Sequence, residues 1–230
     1  MTLIITNDDG IDAPGIRALL QAVHSNGLMA STIVAAPRDH QSGCGHQVTT
    51  TQPIPVKQCA TQEYAIGGTP ADCIRIATSQ LCQNVKFVLS GINSGGNLGV
   101  DAYISGTIAA VREAAMHGIP GIAFSQYRTR QRPVDWDVAA RWTASVLADL
   151  LQRPCTQGTY WNVNLPHLLP EDAEPEVVFC QPCTKPLPAN YRIEGENFYY
   201  VGEYANRERT PLSDVDVCFS GKIAITQLQL

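Results

Sequence analysis

The chain has 230 residues, of which 44% are hydrophobic and 16% are charged, an ordinary balance for a folded protein with a sizeable core. Its formal net charge is −5 and its lysines and arginines form no cluster, so we expect no nucleic-acid polymer as a partner. No apolar run approaches the roughly 20 residues of a membrane-spanning helix, and the first residues enter a strand pattern without a basic, apolar leader. We therefore predict a cytoplasmic protein with no membrane partner.

The first 36 residues alternate between strand and helix patterns. Residues 2–6 are predicted to form a strand around an apolar run (Leu3, Ile4, Ile5), and residues 32–36 form a second, β-branched run. Between them, Pro14 suits a first helical turn, and apolar residues recur at helical spacing until Gly27. This β-α-β order predicts a parallel sheet with a right-handed crossover.

Later segments continue the alternation and predict an α/β fold with a mostly parallel sheet. Further strands are predicted at residues 48–55, 64–66, 85–89, 121–125, 160–166 and 177–179. Further helices are predicted at residues 70–81, 108–117 and 135–151. Prolines then break the pattern, and clustered aromatics between Tyr191 and Tyr204 predict a projecting hairpin, of the kind that packs on another subunit or forms a lid.

Two adjacent carboxylates, Asp8 and Asp9, end the first strand and are followed by Gly10. Strand alternation would send them to opposite faces, so a shared task requires a turn at this point, which a glycine permits. A hard divalent cation would offset their repulsion, because carboxylate oxygens suit magnesium or manganese. The alternative is a solvated Asx turn that closes the strand, and this stretch alone leaves both open.

Two further loops with unusual composition follow predicted strands. Residues 38–46 are polar and include Ser42 and His46; a loop histidine of this kind assists a leaving group or is only hydrogen-bonded. Residues 90–99 hold four glycines, too many for the interior of an element, and include Asn93. The backbone must turn sharply there or come close to a ligand.

A small, hydroxyl-bearing segment, Ser105-Gly106-Thr107, opens an alanine-rich helix. Such a helix start offers free amide donors and the positive end of the helix dipole to a phosphate, although the same residues form an ordinary cap. Loops that follow the carboxyl ends of parallel strands meet in one crevice, where we expect this helix start to join the other loop donors. Those donors are Asp8, Asp9, Ser42 and Asn93.

A cation beside a phosphate pocket predicts phosphoryl chemistry. Competing templates do not match: the dinucleotide fingerprint, the Walker spacing and the serine-hydrolase elbow are all absent from the sequence. Aspartyl-phosphate chemistry would want a second aspartate two positions after Asp8, where the chain has Gly10. The eight cysteines indicate reduced thiols, and the Cys180-Cys183 pair leaves a redox or zinc role as a third hypothesis.

Several motifs together resemble the stationary-phase survival protein family, SurE. The resemblance is densest over residues 1–125. The motifs are Asn7-Asp8-Asp9-Gly10, Ala13-Pro14-Gly15, Ser42-Gly43, Gly68-Thr69-Pro70-Ala71-Asp72-Cys73, Ser90-Gly91-Ile92-Asn93, Asn97-Leu98-Gly99, Ser105-Gly106-Thr107, Asn162-Val163-Asn164, Asp214 and Gly221-Lys222-Ile223-Ala224-Ile225-Thr226.

The resemblance implies a nucleotidase that removes phosphate from nucleoside monophosphates with one Mg²⁺ or Mn²⁺ per subunit. It implies a single domain over residues 1–230, with a Rossmann-like three-layer core (1–165) and a C-terminal extension (about 175–230) that is exchanged within a homodimer or homotetramer. Asp8 and Asp9 would be catalytic, with Asp8 as the proton acceptor. The implied metal ligands are Asp8, Asp9, Ser42 and Asn93, and the implied phosphate-side residues are Asn97, Ser105, Gly106 and Thr107. A nucleotide-sensing, metal-binding module without catalysis is the alternative.

Overall fold

The chain alternates strands and helices along most of its length, as its sequence predicts. The computed structural model describes residues 2–28, 32–129, 132–168 and 173–230. The strands are β1 (Thr2–Thr6), β2 (Thr32–Pro37), β3 (Val56–Ala60), β4 (Glu63–Ile66), β5 (Val85–Asn93), β6 (Gly121–Gln126), β7 (Thr159–Leu165), β8 (Val177–Phe179), β9 (Tyr191–Glu194), β10 (Asn197–Tyr200) and β11 (Ile223–Gln229). The helices are α1 (Pro14–Ser25), α2 (Pro70–Ile76), α3 (Gly106–Met116), α4 (Trp136–Leu150) and α5 (Asp214–Phe219).

One nine-stranded sheet has the order β3-β4-β2-β1-β5-β6-β7-β11-β8. Within it β3 is antiparallel to β4 and β11 is antiparallel to β7, while the other described pairings are parallel. The chain leaves β1 toward β2 on one side and returns to β5 on the other. The carboxyl end of β1 is therefore the switch point where α/β sheets bind ligands.

Helices cover both faces of the sheet and produce three layers. Leu3 and Ile5 of β1 pack in the core shared with α1 and α4, whereas Ile4 packs in the core shared with α2 and α3. Strand alternation explains this division, since successive side chains point to opposite faces. The predicted α/β fold, with a Rossmann-like three-layer core, is confirmed.

A close approach of the backbone fixes α1 against the end of β5. A Cβ atom added at Gly15, in the first turn of α1, would lie 1.9 Å from the carbonyl oxygen of Ile92. No residue with a side chain fits there without displacing the helix. The glycine thus keeps the loop after β1 close to the loop after β5.

One predicted strand is wrong. Residues 48–55 form no strand, and the edge strand is instead β3, five residues that are all exposed. Two prolines in the predicted stretch lack the N–H that a sheet requires. In addition, the backbone N–H and hydroxyl of Thr49 donate to the Asp72 carboxylate, at 2.9 and 2.7 Å, rather than to a neighbouring strand.

The predicted C-terminal hairpin is present. Strands β9 and β10 form a separate two-stranded antiparallel sheet in which every residue is exposed. Strand β11, in contrast, returns into the main sheet beside β7. No helix in the described ranges is long and apolar enough to cross a membrane.

Candidate functional site

The turn after β1 leaves its two carboxylates available. The Asn7 amide donates to the Gly10 carbonyl at 2.8 Å, and Gly10 has a φ of +106° that favours glycine. This turn is therefore closed by a side-chain amide that donates to a backbone carbonyl, not by an aspartate side chain. Asp8 and Asp9 remain free to face the crevice.

Asp8 is buried, with an exposed fraction of 4%. The Thr107 hydroxyl donates to its Oδ1 at 2.5 Å. The pKa of Asp8 is raised from 3.8 to about 6, mainly by burial and to a smaller extent by the neighbouring Asp9, against the lowering effect of the Thr107 hydrogen bond. In the described part of the chain, no lysine or arginine pairs with this carboxylate.

Asp9 connects two loops. Its Oδ2 accepts the Ser94 backbone N–H at 3.0 Å, and its Oδ1 lies 3.4 Å from His40 Nδ1. Its side chain is 14% exposed, whereas that of His40 is 62% exposed. The contact places the exposed His40 beside Asp9, a position that the sequence pattern did not indicate because the residue lies in a polar turn.

The loop with Ser42 is attached to the aspartates through its backbone. The Gln41 N–H donates to the Asp8 carbonyl at 2.7 Å. Ser42 follows directly and has an exposed side chain. Further along the loop, the Thr69 hydroxyl donates to the Gln47 carbonyl at 2.6 Å, so the helix cap of α2 also holds it.

Asn93 is the last residue of β5 and is half-buried. Its Nδ2 donates to the Gly95 carbonyl at 2.8 Å, which orients the amide. The amide oxygen is the atom suited to a hard cation. The structure therefore brings the loop of Asn93 beside Asp9, through the adjacent Ser94.

Asn97 lies in a buried amide network. Its N–H donates to Asn164 Oδ1 at 2.8 Å, and its Nδ2 donates to Ser125 Oγ at 2.8 Å. Its carbonyl accepts from the amides of Asn162 and Asn164, at 2.9 and 3.0 Å. These contacts attach the 94–99 loop to β6 and β7, which gives Asn97 a structural role.

The start of α3 lies against Asp8. Ser105 is the N-cap, and its hydroxyl accepts the Ile108 N–H at 3.1 Å. A Cβ added at Gly106 would be 2.8 Å from the Asp8 Cβ, so the glycine permits the close approach. Thr107 is fully buried and bonds to Asp8. The segment is thus an ordinary cap and also a wall of the crevice.

His46 points away from the two aspartates. Arg112 Nε donates to its Nδ1 at 2.8 Å, so Nε2 carries the proton toward Glu113 Oε2, at 2.7 Å. Glu113 is 1% exposed and also accepts from Arg75 and His117. Both ring nitrogens of His46 are therefore used in a cluster around the buried Glu113, the hydrogen-bonded alternative that the sequence left open.

The Glu113 cluster predicts a loss of stability in acid. Burial raises the pKa of this carboxyl, but hydrogen bonds from His46, Arg75 and His117 outweigh burial and hold the pKa at about 2, below its ordinary 4.5. The stabilisation is present in full above pH 4.5 and is lost as the pH falls toward 2; it is on the order of 3 kcal/mol. Urea unfolding between pH 7 and pH 3 measures the larger part of this loss.

Glu113→Gln is the control for this pH dependence. The variant is expected to be less stable at pH 7 and to lose less stability on acidification, because the titrating carboxyl is gone. An equally steep fall in both proteins would contradict the assignment.

Asp214 is a second organising carboxylate that the sequence pattern marks only as part of a C-terminal motif. It is fully buried and accepts the backbone N–H groups of Gly99 and Cys183, at 2.6 and 2.8 Å. It therefore joins the glycine-rich loop to the C-terminal extension.

All eight cysteines are free thiols. Cys180 Sγ lies 3.8 Å from the Ile225 carbonyl, whereas Cys183 Sγ lies 3.8 Å from the Thr210 hydroxyl. Within the described ranges, no group of three or more His, Cys, Asp or Glu side chains could hold a metal. Any cation at Asp8 and Asp9 would need hydroxyl, amide or water oxygens as further ligands.

A mostly parallel α/β sheet with paired carboxylates and a helix N-terminus at its switch point defines a Rossmann-like α/β protein, a class that binds ligands at this position. The family model described as Survival protein SurE matches residues 3–187. The chain belongs to the SurE family.

Relatives and a solved structure agree with this membership. A provisionally named 5'-nucleotidase of Nostoc sp. (strain PCC 7120) is 70% identical over 230 residues, covering all of both chains. The 5'-nucleotidase SurE of Paramagnetospirillum magneticum is 33% identical and covers 99% of this chain and 89% of the relative. The crystal structure of the SurE protein from Aquifex aeolicus has a TM-score of 0.86 at 28% identity, over 100% of this chain and 93% of that one.

Proposed function

We propose that this protein is a metal-dependent 5'-nucleotidase that hydrolyses nucleoside monophosphates to nucleosides and phosphate. Membership of the SurE family and relatives named 5'-nucleotidase SurE support the activity. The observation that carries the proposal is the buried Asp8 carboxylate, which lies beside Asp9 and against the N-terminus of α3. A cation would neutralise the carboxylates, and a phosphate would face the helix start.

The donor set fits a hard divalent cation. Asp8 and Asp9 supply carboxylate oxygens, Asn93 supplies an amide oxygen and Ser42 a hydroxyl, all ligands that Mg²⁺ and Mn²⁺ accept. Asp8 is buried without a basic partner in the described ranges, so a bound cation would offset the cost of its charge. We propose one such ion per subunit, held by these four residues.

Four further residues serve the phosphate side of the crevice. Ser105 and Gly106 present the N-terminus of α3, whose dipole and free N–H groups favour an anion. Asn97 holds the glycine-rich loop in place, and Thr107 holds Asp8 through its hydroxyl. We propose that Ser105 and Gly106 contact the phosphate. Asn97 and Thr107 position the groups around it.

Asp8 accepts the proton of the attacking water in this proposal. Thr107 orients its carboxylate, and the Gln41 N–H fixes its backbone, so its free oxygen has a defined direction. Asp9 is held by Ser94 and serves as a ligand and electrostatic partner. When bound, the metal polarises a phosphoryl oxygen and lowers the pKa of bound water.

We also propose a cytoplasmic homodimer or homotetramer. The hairpin of β9 and β10 exposes Tyr191, Ile193, Phe198 and Tyr200, each by more than half of its surface. A two-stranded arm is marginally stable alone, and packing against a second subunit would cover these side chains. The single domain over residues 1–230, with a core at 1–165 and an extension from about 175, stays a prediction.

Phosphate release tests the function. The purified protein is incubated with adenosine or guanosine 5'-monophosphate, with manganese or magnesium and after chelation. Turnover is expected with metal, and chelation is expected to abolish it. Metal-independent turnover would contradict the metal site, and binding of nucleotide without any turnover would favour the sensing module.

A further inference from the structure

A cleft of about 520 Å³ opens at the carboxyl end of β6, beside the crevice. Tyr127 and Arg128, which directly follow β6, line it together with Tyr204 of the C-terminal segment. The volume lies within the usual range for small-molecule sites. Its lining combines two aromatic rings with the guanidinium groups of Arg128 and Arg132 and the carboxylate of Glu203.

The first connection from this cleft leads to the metal side of the crevice. Arg128 Nη1 donates to Ser94 Oγ at 3.1 Å. The Ser94 backbone N–H donates to Asp9 Oδ2 at 3.0 Å. The guanidinium group is therefore separated from a proposed metal ligand by one residue.

The second connection leads to the phosphate side. The Tyr204 hydroxyl donates to Asp101 Oδ2. The backbone carbonyl of Asp101 in turn accepts the N–H of Ser105, the N-cap of α3, at 3.0 Å. The C-terminal segment thus adjoins the helix start that faces the phosphate.

The distance between the proposed phosphate side of the crevice and this cleft also suits a nucleotide. Strands β1, β5 and β6 are neighbours, so β1 and β6 lie about 10 Å apart across the sheet, two strand spacings. The register places the end of β6 three residues beyond the end of β1, because Thr6 is level with Ser90 and Ser90 with Ala123. One nucleotide can span a separation on this scale. Gly96 lies between the two regions, where an added Cβ would be 3.5 Å from the Tyr204 hydroxyl and 3.6 Å from the Tyr127 Cβ.

We infer that the cleft of Tyr127, Arg128 and Tyr204 receives the nucleoside of the substrate, an inference that rests on the proposed function. Aromatic side chains stack on any nucleobase, because every base has a π face. Arg128 uses one N–H group on Ser94 and has further donors for ribose hydroxyls. Recognition by stacking accepts purines and pyrimidines alike, with a modest preference among bases.

Two variants of Tyr127 separate stacking on a nucleobase from packing within the protein. The Tyr127 ring stacks on Phe219 with its centroid 4.7 Å away. Tyr127→Leu keeps an apolar contact with Phe219 but removes the ring, whereas Tyr127→Phe keeps the ring. Leucine is expected to raise KM for adenosine 5'-monophosphate about 10-fold. Its kcat/KM for ribose 5-phosphate, which lacks a base, is expected to stay within about 2-fold of wild type. Phenylalanine is expected to match wild type on both substrates.

Calorimetry with adenosine alone tests the cleft without catalysis. Tyr127→Leu is expected to weaken adenosine binding about 10-fold, and the exposed Arg128→Gln to weaken it several-fold, with the fold intact in both. If Tyr127→Leu lowered kcat/KM equally for adenosine 5'-monophosphate and ribose 5-phosphate, the inference would be overturned. Unchanged adenosine affinity in both Tyr127→Leu and Arg128→Gln would also overturn it. Absence of turnover with tight adenosine binding would instead count against the proposed function and leave the cleft supported.

Discussion

Asp8→Asn is expected to lower metal-dependent phosphate release from adenosine 5'-monophosphate by about 10³-fold. The amide keeps the shape of the side chain but cannot accept a proton, and it removes one negative charge from the proposed cation site. Excess manganese is not expected to restore turnover, since the missing proton acceptor does not depend on metal occupancy. Initial rates and manganese binding by calorimetry, measured on the same preparation, separate the two effects.

The matched control for Asp8→Asn is Asp149→Asn. Asp149 lies on α4, away from the crevice, where it pairs with Arg153 and is 51% exposed. This variant is expected to keep wild-type turnover, because it removes only an exposed ion pair. Full turnover by Asp8→Asn with metal still bound would exclude Asp8 as the proton acceptor.

Arg207→Leu is expected to destabilise the protein by about 3–5 kcal/mol. The side chain of Arg207 is fully buried, and its Nη1 donates to Asp101 Oδ2 at 2.8 Å. Removing the cation leaves the buried Asp101 carboxylate without a charged partner, a larger loss than that of the pair itself. Thermal unfolding should show a decrease of about 10 °C in Tm, given the usual shift per kcal/mol for a chain of this size.

Two comparisons test this explanation. The double variant Asp101→Asn with Arg207→Leu is expected to recover part of the lost stability, because it removes both buried charges. Lys222→Met breaks the exposed Lys222–Glu176 pair and is expected to cost less than about 1 kcal/mol. If Arg207→Leu lowered the free energy of unfolding no more than Lys222→Met does, burial would not explain the energetics of the Arg207–Asp101 pair.

The sequence could predict most elements because each depends on local patterns. Apolar runs and helical spacing located β1, α1 and β2, and Pro14 and Gly27 lie at or near the ends of the helix. The convergence of the loops after β1, β2 and β5 also followed, since parallel strands place their carboxyl ends at one edge. The predicted strand at 48–55 was wrong, because its polar groups bond to Asp72, which lies some 20 residues away in the chain.

Side-chain partners could not be predicted because they lie far apart along the chain. Thr107 reaches Asp8 across 99 residues, and His46 reaches Glu113 across 67. The hydrophobic periodicity of a sequence does not indicate which polar side chains will form hydrogen bonds with each other, because those pairings depend on how α3 packs against the sheet. The same packing brings exposed His40, and not His46, beside Asp9.

By itself, the sequence determined that this protein is an α/β protein with carboxylates, a glycine-rich loop and a helix start at the carboxyl edge of its sheet. Hydrophobic periodicity and turn residues carry that information locally. Only the tertiary structure decided which of those groups stay free and which are used in packing. It buries Asp8 against α3, uses the Asn97 amide in a structural network and attaches the C-terminal segment through Arg207. Burial and long-range hydrogen bonds arise only when distant segments pack together, and they set the charge and orientation of each group in the crevice.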